Sequence, residues 1–219
     1  MSKIFLFAAV IRYIVMLSSS AESNIITTIG SQHFTDGQKV GKATFNTAVA
    51  GQPAPFNGFI GSDVSGPDFS ASWTFTYSFP VSDTVSAASI TIGILDHDSL
   101  ASGNQIASFT LNGTIDLTAG LNTLFEGHGG ASGEYDVYTE TLPASSFAAL
   151  TTGSATFALA LQGPGLGVLG ETVFNGAGLD FSTLDITTTP GTPVPEPTTM
   201  LLLGTGLVGL AGLRRRFKK

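Results

Sequence analysis

The side chains best placed for chemistry in this 219-residue chain stand together at Asp96-His97-Asp98-Ser99, directly after the apolar Ile90–Leu95 run. Two carboxylates two residues apart, with a hydroxyl and backbone carbonyls nearby, make an oxygen-rich loop suited to Ca²⁺. Asp96 and Asp98 are therefore the candidate metal ligands, although His97 between them would suit a softer ion. Further oxygens come from Gly61-Ser62-Asp63, Gly66-Pro67-Asp68 and the loop from Glu126 to Glu134. The three imidazoles, His33, His97 and His128, fall in separate apparent loops. Nucleophilic hydrolysis needs a nucleophile, an imidazole and an orienting acid in one geometry. Ser and Asp are so abundant here that spacing singles out no such set, and paired carboxylates for glycoside hydrolysis meet the same objection. Gly163-Pro164-Gly165-Leu166-Gly167 has no Lys and opens no strand-to-helix unit, so it reads as a tight loop and not a phosphate cradle. The expectation is a protein without catalytic residues, with a secreted hydrolase as the remoter alternative.

The elements that must hold these residues read as strands. Trp73, Phe75, Tyr77 and Phe79 alternate with Ser72, Thr74, Thr76 and Ser78, the period-two pattern of a half-buried strand. Ile90, Ile92 and Ile94 repeat the pattern, as do Phe157, Leu159 and Leu161. Weaker strands are expected at 24–29, 43–49, 105–111, 114–117, 171–174 and 180–186. Asn112-Gly113 between Phe109-Thr110-Leu111 and Thr114-Ile115-Asp116 predicts a tight hairpin. Pro143–Leu150 predicts one short helix or a turn, and helical periodicity is otherwise scarce. Many short strands punctuated by Gly, Ser, Asp and Pro predict an all-β fold, an antiparallel β-sandwich or jelly roll. The leading strand row should bury Trp73, while Tyr135 and Tyr138 should face opposite ways and leave one aromatic at the surface.

Charge and composition narrow the partners. Between residues 22 and 197 only Lys39 and Lys42 oppose all sixteen acids, a net charge of −14. Such a body is a poor ligand for nucleic acid, whose binding rests on neutralised phosphates. With no cysteine, thiolate metal sites and disulfides are excluded.

The two ends read differently from the body. Residues 1–21 have a basic start at Lys3, an apolar stretch interrupted by Arg12, and small residues at Ser19-Ser20-Ala21. That is the form of a signal peptide, implying export machinery and signal peptidase as partners. A body expected over residues 24–187 is followed by a Pro/Thr linker at 188–197, in which Pro193, Pro195 and Pro197 alternate. Residues 198–213 carry no charge and, as a helix, would span about 24 Å. This is short against a bilayer core of about 30 Å, but snorkelling basic stems can extend it. The segment is expected to form a single C-terminal transmembrane helix. The basic residues at 214–219 should remain cytoplasmic, with the body on the outer side.

Val194-Pro195-Glu196-Pro197, a short Gly-rich apolar helix and Arg214-Arg215-Arg216 together resemble the PEP-CTERM sorting signal of Gram-negative bacteria. The resemblance covers residues 193–217, about a ninth of the chain. It implies recognition by an exosortase and processing near Pro195-Glu196-Pro197. It also implies a transient inner-membrane stage with the body in the periplasm, then a cell-surface or extracellular location. Bacteria with such tails often make extracellular polysaccharide, a further candidate partner. The functional expectation is a structural or adhesive protein of the envelope or extracellular matrix. A calcium-dependent saccharide-binding module is the first alternative and a secreted hydrolase the second.

Overall fold

The computed structural model describes residues 22–97, 101, 103–128, 131–167, 170–191, 202–207, 209–210 and 214. The signal-peptide reading (1–21), Asp98 and Ser99, the Val194–Pro197 motif, Arg215 and Arg216 lie outside the described residues. So does part of the 198–213 segment. In chain order the body runs β1 (Ser23–Gly30), β2 (Gln38–Lys39), α1 (Lys42–Ala48), β3 (Phe59–Ile60), β4 (Ser70–Thr76), β5 (Thr84–Leu95), β6 (Ile106–Leu111) and β7 (Ile115–Asp116). It continues with α2 (Thr118–His128), β8 (Glu134–Thr141), a 3₁₀ turn at Ala144–Ser146, α3 (Phe147–Leu150), β9 (Ser154–Leu161), β10 (Gly165–Gly167), β11 (Gly170–Thr172) and β12 (Ala177–Thr189).

The strands form two main antiparallel sheets, so the all-β expectation holds at that level. The larger sheet has the order β1-β12-β5-β8-β2, with β3 also paired to β12. The smaller has the order β4-β9-β6-β7, and β10 with β11 makes a separate ribbon. The predicted aromatic row supplies the core between them. Trp73, Phe75, Phe109 and Phe157 from the smaller sheet join Ile90, Ile92, Leu184 and Ile186 from the larger one in a single buried cluster. Trp73 is buried, as expected. Its ring stacks on Phe109 and Phe157, with centroids 6.5 and 6.1 Å away. The Asn112-Gly113 turn also forms as predicted: β6 pairs with β7, and both turn residues have positive φ, 52° and 68°.

A second, smaller core covers the opposite face of the larger sheet. Phe34, Val40, Phe45 and Val49 pack onto Leu95, Tyr135 and Phe181. This explains a change of pattern along β5 and β12. Alternating burial along Ala88–Ile92 gives way to continuous burial over Ile92–Leu95, and β12 is buried throughout Ala177–Ser182 before alternation begins. Gly93 is needed there, because a Cβ would collide with the Tyr135 hydroxyl and the Phe181 ring. Gly178 likewise leaves room for the Phe45 ring.

Three expectations are corrected by this second core and by α2. The strand expected at 43–49 is the helix α1, whose Phe45, together with Val49 one turn on, is fully buried. Residues four apart meet on one helical face, so tertiary packing overrides the weak strand signal. Tyr135 and Tyr138 do face opposite ways, but neither is a surface aromatic, since each enters a different core. Helix is also less scarce than expected: α2 runs eleven residues and buries Leu121 and Phe125. The Pro143–Leu150 segment does become a short helical turn. Finally, β12 extends to Thr189, two residues into the stretch read as linker, with Thr188 paired to Ser23.

Among the described residues, no helix is long and apolar enough to cross a membrane. Residues 202–207 and 209–210 are helical, and Leu202, Leu203, Leu207 and Leu210 are all exposed.

Candidate metal centre

Strand β8 carries Asp136, Tyr138 and Glu140 on its inward face, in register with Ile94, Ile92 and Ile90 of β5. Two acids facing a core demand partners, because burying an isolated carboxylate is costly. Asp136 is completely buried and sits between two imidazoles. His97 Nε2 lies 2.9 Å from its Oδ2, and His128 Nε2 lies 2.9 Å from its Oδ1. Burial alone would raise the Asp136 carboxyl. The hydrogen bond and positive field of His97, with the field of His128, outweigh that and hold it below the ordinary carboxylate range. Stability from Asp136 is thus present at neutral pH and lost as pH falls through its lowered pKa.

His97 leaves β5 just after Asp96 and turns inward, 1% exposed, with its ring 4.3 Å from that of Phe125. Its Nε2 meets both Asp136 and the Tyr138 hydroxyl, at 2.9 and 2.7 Å. An ionised carboxylate only accepts, so the proton sits on Nε2 of His97. Its Nδ1 is buried without a hydrogen-bond partner. This imidazole positions Asp136 and is closed off from any substrate.

His128 is different. It ends α2, with its side chain 34% exposed, and borders an open depression of about 310 Å³ lined also by Leu124, Gly127, Val137 and Tyr138. Although its Nε2 is 2.9 Å from Asp136 Oδ1, that oxygen has no hydrogen-bond partner. Asp36 approaches from the other side: its Oδ1 takes the Val137 N–H at 2.8 Å and lies 4.0 Å from His128 Nε2. Asp36 sits just before β2, whose pairing with β8 covers only Gln38↔Tyr135 and Lys39↔Glu134. Its carboxylate therefore caps the edge of β8 beyond the point where β2 ends. The donor atoms of Asp36, His128 and Asp136 all lie within 4.8 Å of one another.

Of the two ligands expected from the sequence, the structure describes Asp96 alone. Asp96 adopts a left-handed conformation with φ of 62° at the end of β5. Its carboxylate accepts the Gly133 N–H and its own N–H reaches Glu134 O at 2.8 Å, so it fastens the turn into β8. Asp98 lies outside the described residues. Of the other loop acids, Asp63 accepts the Gly176 N–H at 2.6 Å, and burial pushes it up to about 6. Asp68 accepts the Asn175 N–H at 2.8 Å. Both are used to tie loops to the start of β12.

His33 belongs to a separate pair. Its Nδ1 is 2.6 Å from Asp180 Oδ1, and its backbone N–H donates to Asp180 Oδ2 at 2.7 Å. Asp180 is fully buried in β12, so this contact anchors the segment after β1 beside the second core. Both lysines of the body are also engaged: Lys39 bonds Glu134 at 2.9 Å, and Lys42 lies 3.8 Å from the Phe59 ring centre.

Asp36, Asp136 and Asp180 were not singled out by sequence reasoning, and Tyr138 was considered only as a surface aromatic. Asp136 had a readable signal, since two acids and a Tyr share one face of a strand whose neighbours are core positions. For α2 the readable signal was Leu117, Leu121 and Phe125 at four-residue spacing.

The structure shows a two-sheet body, and the sequence continues from it into an apolar stretch with a basic end. That tail carries a recognised signal: residues 193–216 match the PEP-CTERM protein-sorting motif. The motif marks the chain as an exported protein sorted by an exosortase toward the envelope or surface. No curated protein matches the chain.

Proposed function

We propose that this chain is a non-enzymatic structural or adhesive protein of the cell envelope or extracellular matrix. In this reading residues 24–187 form the working β-sandwich. The linker over 188–197 presents Pro195-Glu196-Pro197 to exosortase. An apolar helix at 198–213 holds the body at the inner membrane until sorting, with 214–219 in the cytoplasm. The observation that carries the reading is the sorting motif at 193–216, attached to a body with a net charge of −14 over residues 22–197.

Two features of the body support a role by contact instead of by turnover. The outward face of the larger sheet carries a threonine row, Thr28, Thr183, Thr91 and Thr139, aligned across four strands. Thr28 bonds Thr183 at 2.8 Å and Thr91 bonds Thr139 at 2.9 Å, making a regular, uncharged hydroxyl row. His97, the most buried imidazole, is spent on orienting Asp136. Turnover of a polysaccharide or ester that disappears in His33→Ala would contradict the non-enzymatic part.

Sorting is tested by replacing Pro195 and Glu196 with alanine in the native host. The expected result is full-length precursor retained in the membrane fraction. Unchanged mature mass and location would overturn the exosortase reading.

A further inference from the structure

We infer that Asp36, His128 and Asp136 form a binding site for one divalent cation of the zinc type, which pins the segment before β2 and the end of α2 to the edge of β8. The inference is independent of the sorting reading, since it uses no residue of the tail.

The donor set is one imidazole nitrogen and two carboxylate oxygens, each from a different element. An ion bonded at about 2.1 Å to both His128 Nε2 and Asp136 Oδ1 would see them at about 90°, and His128 Nε2 and Asp36 Oδ1 at about 140°. These angles bracket the tetrahedral value. The three donor atoms lie no more than 4.8 Å apart, and the Asp36 carboxylate, more than half exposed and tied by the Val137 N–H, is the member with room to adjust. Asp136 Oδ1 points to a ligand on separate grounds. It is fully buried, lacks a hydrogen-bond partner and is aimed at His128 Nε2. A metal ion would satisfy it where the imidazole alone does not.

The surroundings fit a cation. Asp136 is held in place by a hydrogen bond from His97 to its other oxygen, the arrangement that orients a metal ligand from behind. The C-terminal end of α2 adds negative potential at His128, and the acidic body attracts cations in general. Three protein ligands leave a fourth position for water, and His128 borders an open depression. The nitrogen ligand favours zinc over Ca²⁺, which prefers six to eight oxygens.

The test is calorimetric titration of the full chain with Zn²⁺ and separately with Ca²⁺, beside His128→Ala, Asp36→Asn and, as control, His33→Ala. The expected result is one Zn²⁺ bound per chain, with Ca²⁺ bound far more weakly. His128→Ala should weaken Zn²⁺ by at least the roughly 10–100-fold typical of disturbing a metal site's supporting shell. Asp36→Asn should weaken it in the same direction, and His33→Ala should match the parent. Zn²⁺ at about 100 times its Kd should raise the melting midpoint by about 5–10 °C in the parent and much less in His128→Ala. Absence of Zn²⁺ binding, equal binding by His128→Ala, or a preference for Ca²⁺ would each overturn the proposal.

Discussion

Leu202, Leu203, Leu207 and Leu210 of the tail stand 59–75% exposed, whereas Phe157 of β9 is fully buried against Trp73, Phe75 and Phe109. Both regions are apolar, yet their hydrophobic residues answer to different solvents. The body's aromatics gain by leaving water for one another. Among the described residues, the tail's four leucines find no such burial. The same contrast holds for charge. Several body acids are taken up by turn N–H groups, imidazoles and Lys39, while five basic residues follow the apolar run at 214–219. Function in the tail is thus written along the chain, and in the body it depends on residues brought together from distant segments.

Truncation in each region separates the two. Phe157→Ala should cost about 3–5 kcal/mol, a fall in melting midpoint of about 10 °C, because β9 lies between β4 and β6 and no neighbour can fill the void. Leu203→Ala should leave the midpoint unchanged. Equal effects of the two changes on thermal unfolding would dissolve the contrast.

A finer probe is Glu140, buried under α2 next to Gly120. Burial, with a smaller contribution from Asp116, pushes its carboxyl up to about 7 from 4.5. The folded state holds the proton more tightly than the unfolded one, so this group favours folding below pH 4.5 and loses that contribution as pH rises through 7. Glu140→Gln should therefore match the parent near pH 4.5 and exceed it by about 3 kcal/mol at pH 8, as urea unfolding would measure. A constant difference across pH would show that Glu140 is not held protonated by the fold.

How far the sequence could be read follows from where the determinants lie. The β5 and β9 rows, the burial of Trp73 and the Asn112-Gly113 hairpin follow from period-two alternation and turn chemistry, which are local. The sorting tail is local too, and Pro195-Glu196-Pro197 with the basic block could be recognised without a fold. The second core was hidden because α1 and its end offer only two large apolar side chains, Phe45 and Val49, and the room for Phe45 is left by Gly178 far along the chain. The candidate metal centre was hidden for the same reason: Asp36, His128 and Asp136 are 92 and 8 residues apart in sequence, and only the β8 register and the descent of α2 make them neighbours. Asp96 was conspicuous because it follows a strand, and that position is what makes it a turn residue.

The central claim is that an autonomous acidic β body is delivered by a tail removed or exchanged during sorting. Intact mass of the protein recovered from membrane, surface and medium fractions of its native host tests it most directly. The account predicts a surface or medium species that lacks the N-terminal segment near residues 1–21 and is cut near Pro195-Glu196-Pro197. A protein that keeps all 219 residues in every fraction would contradict it.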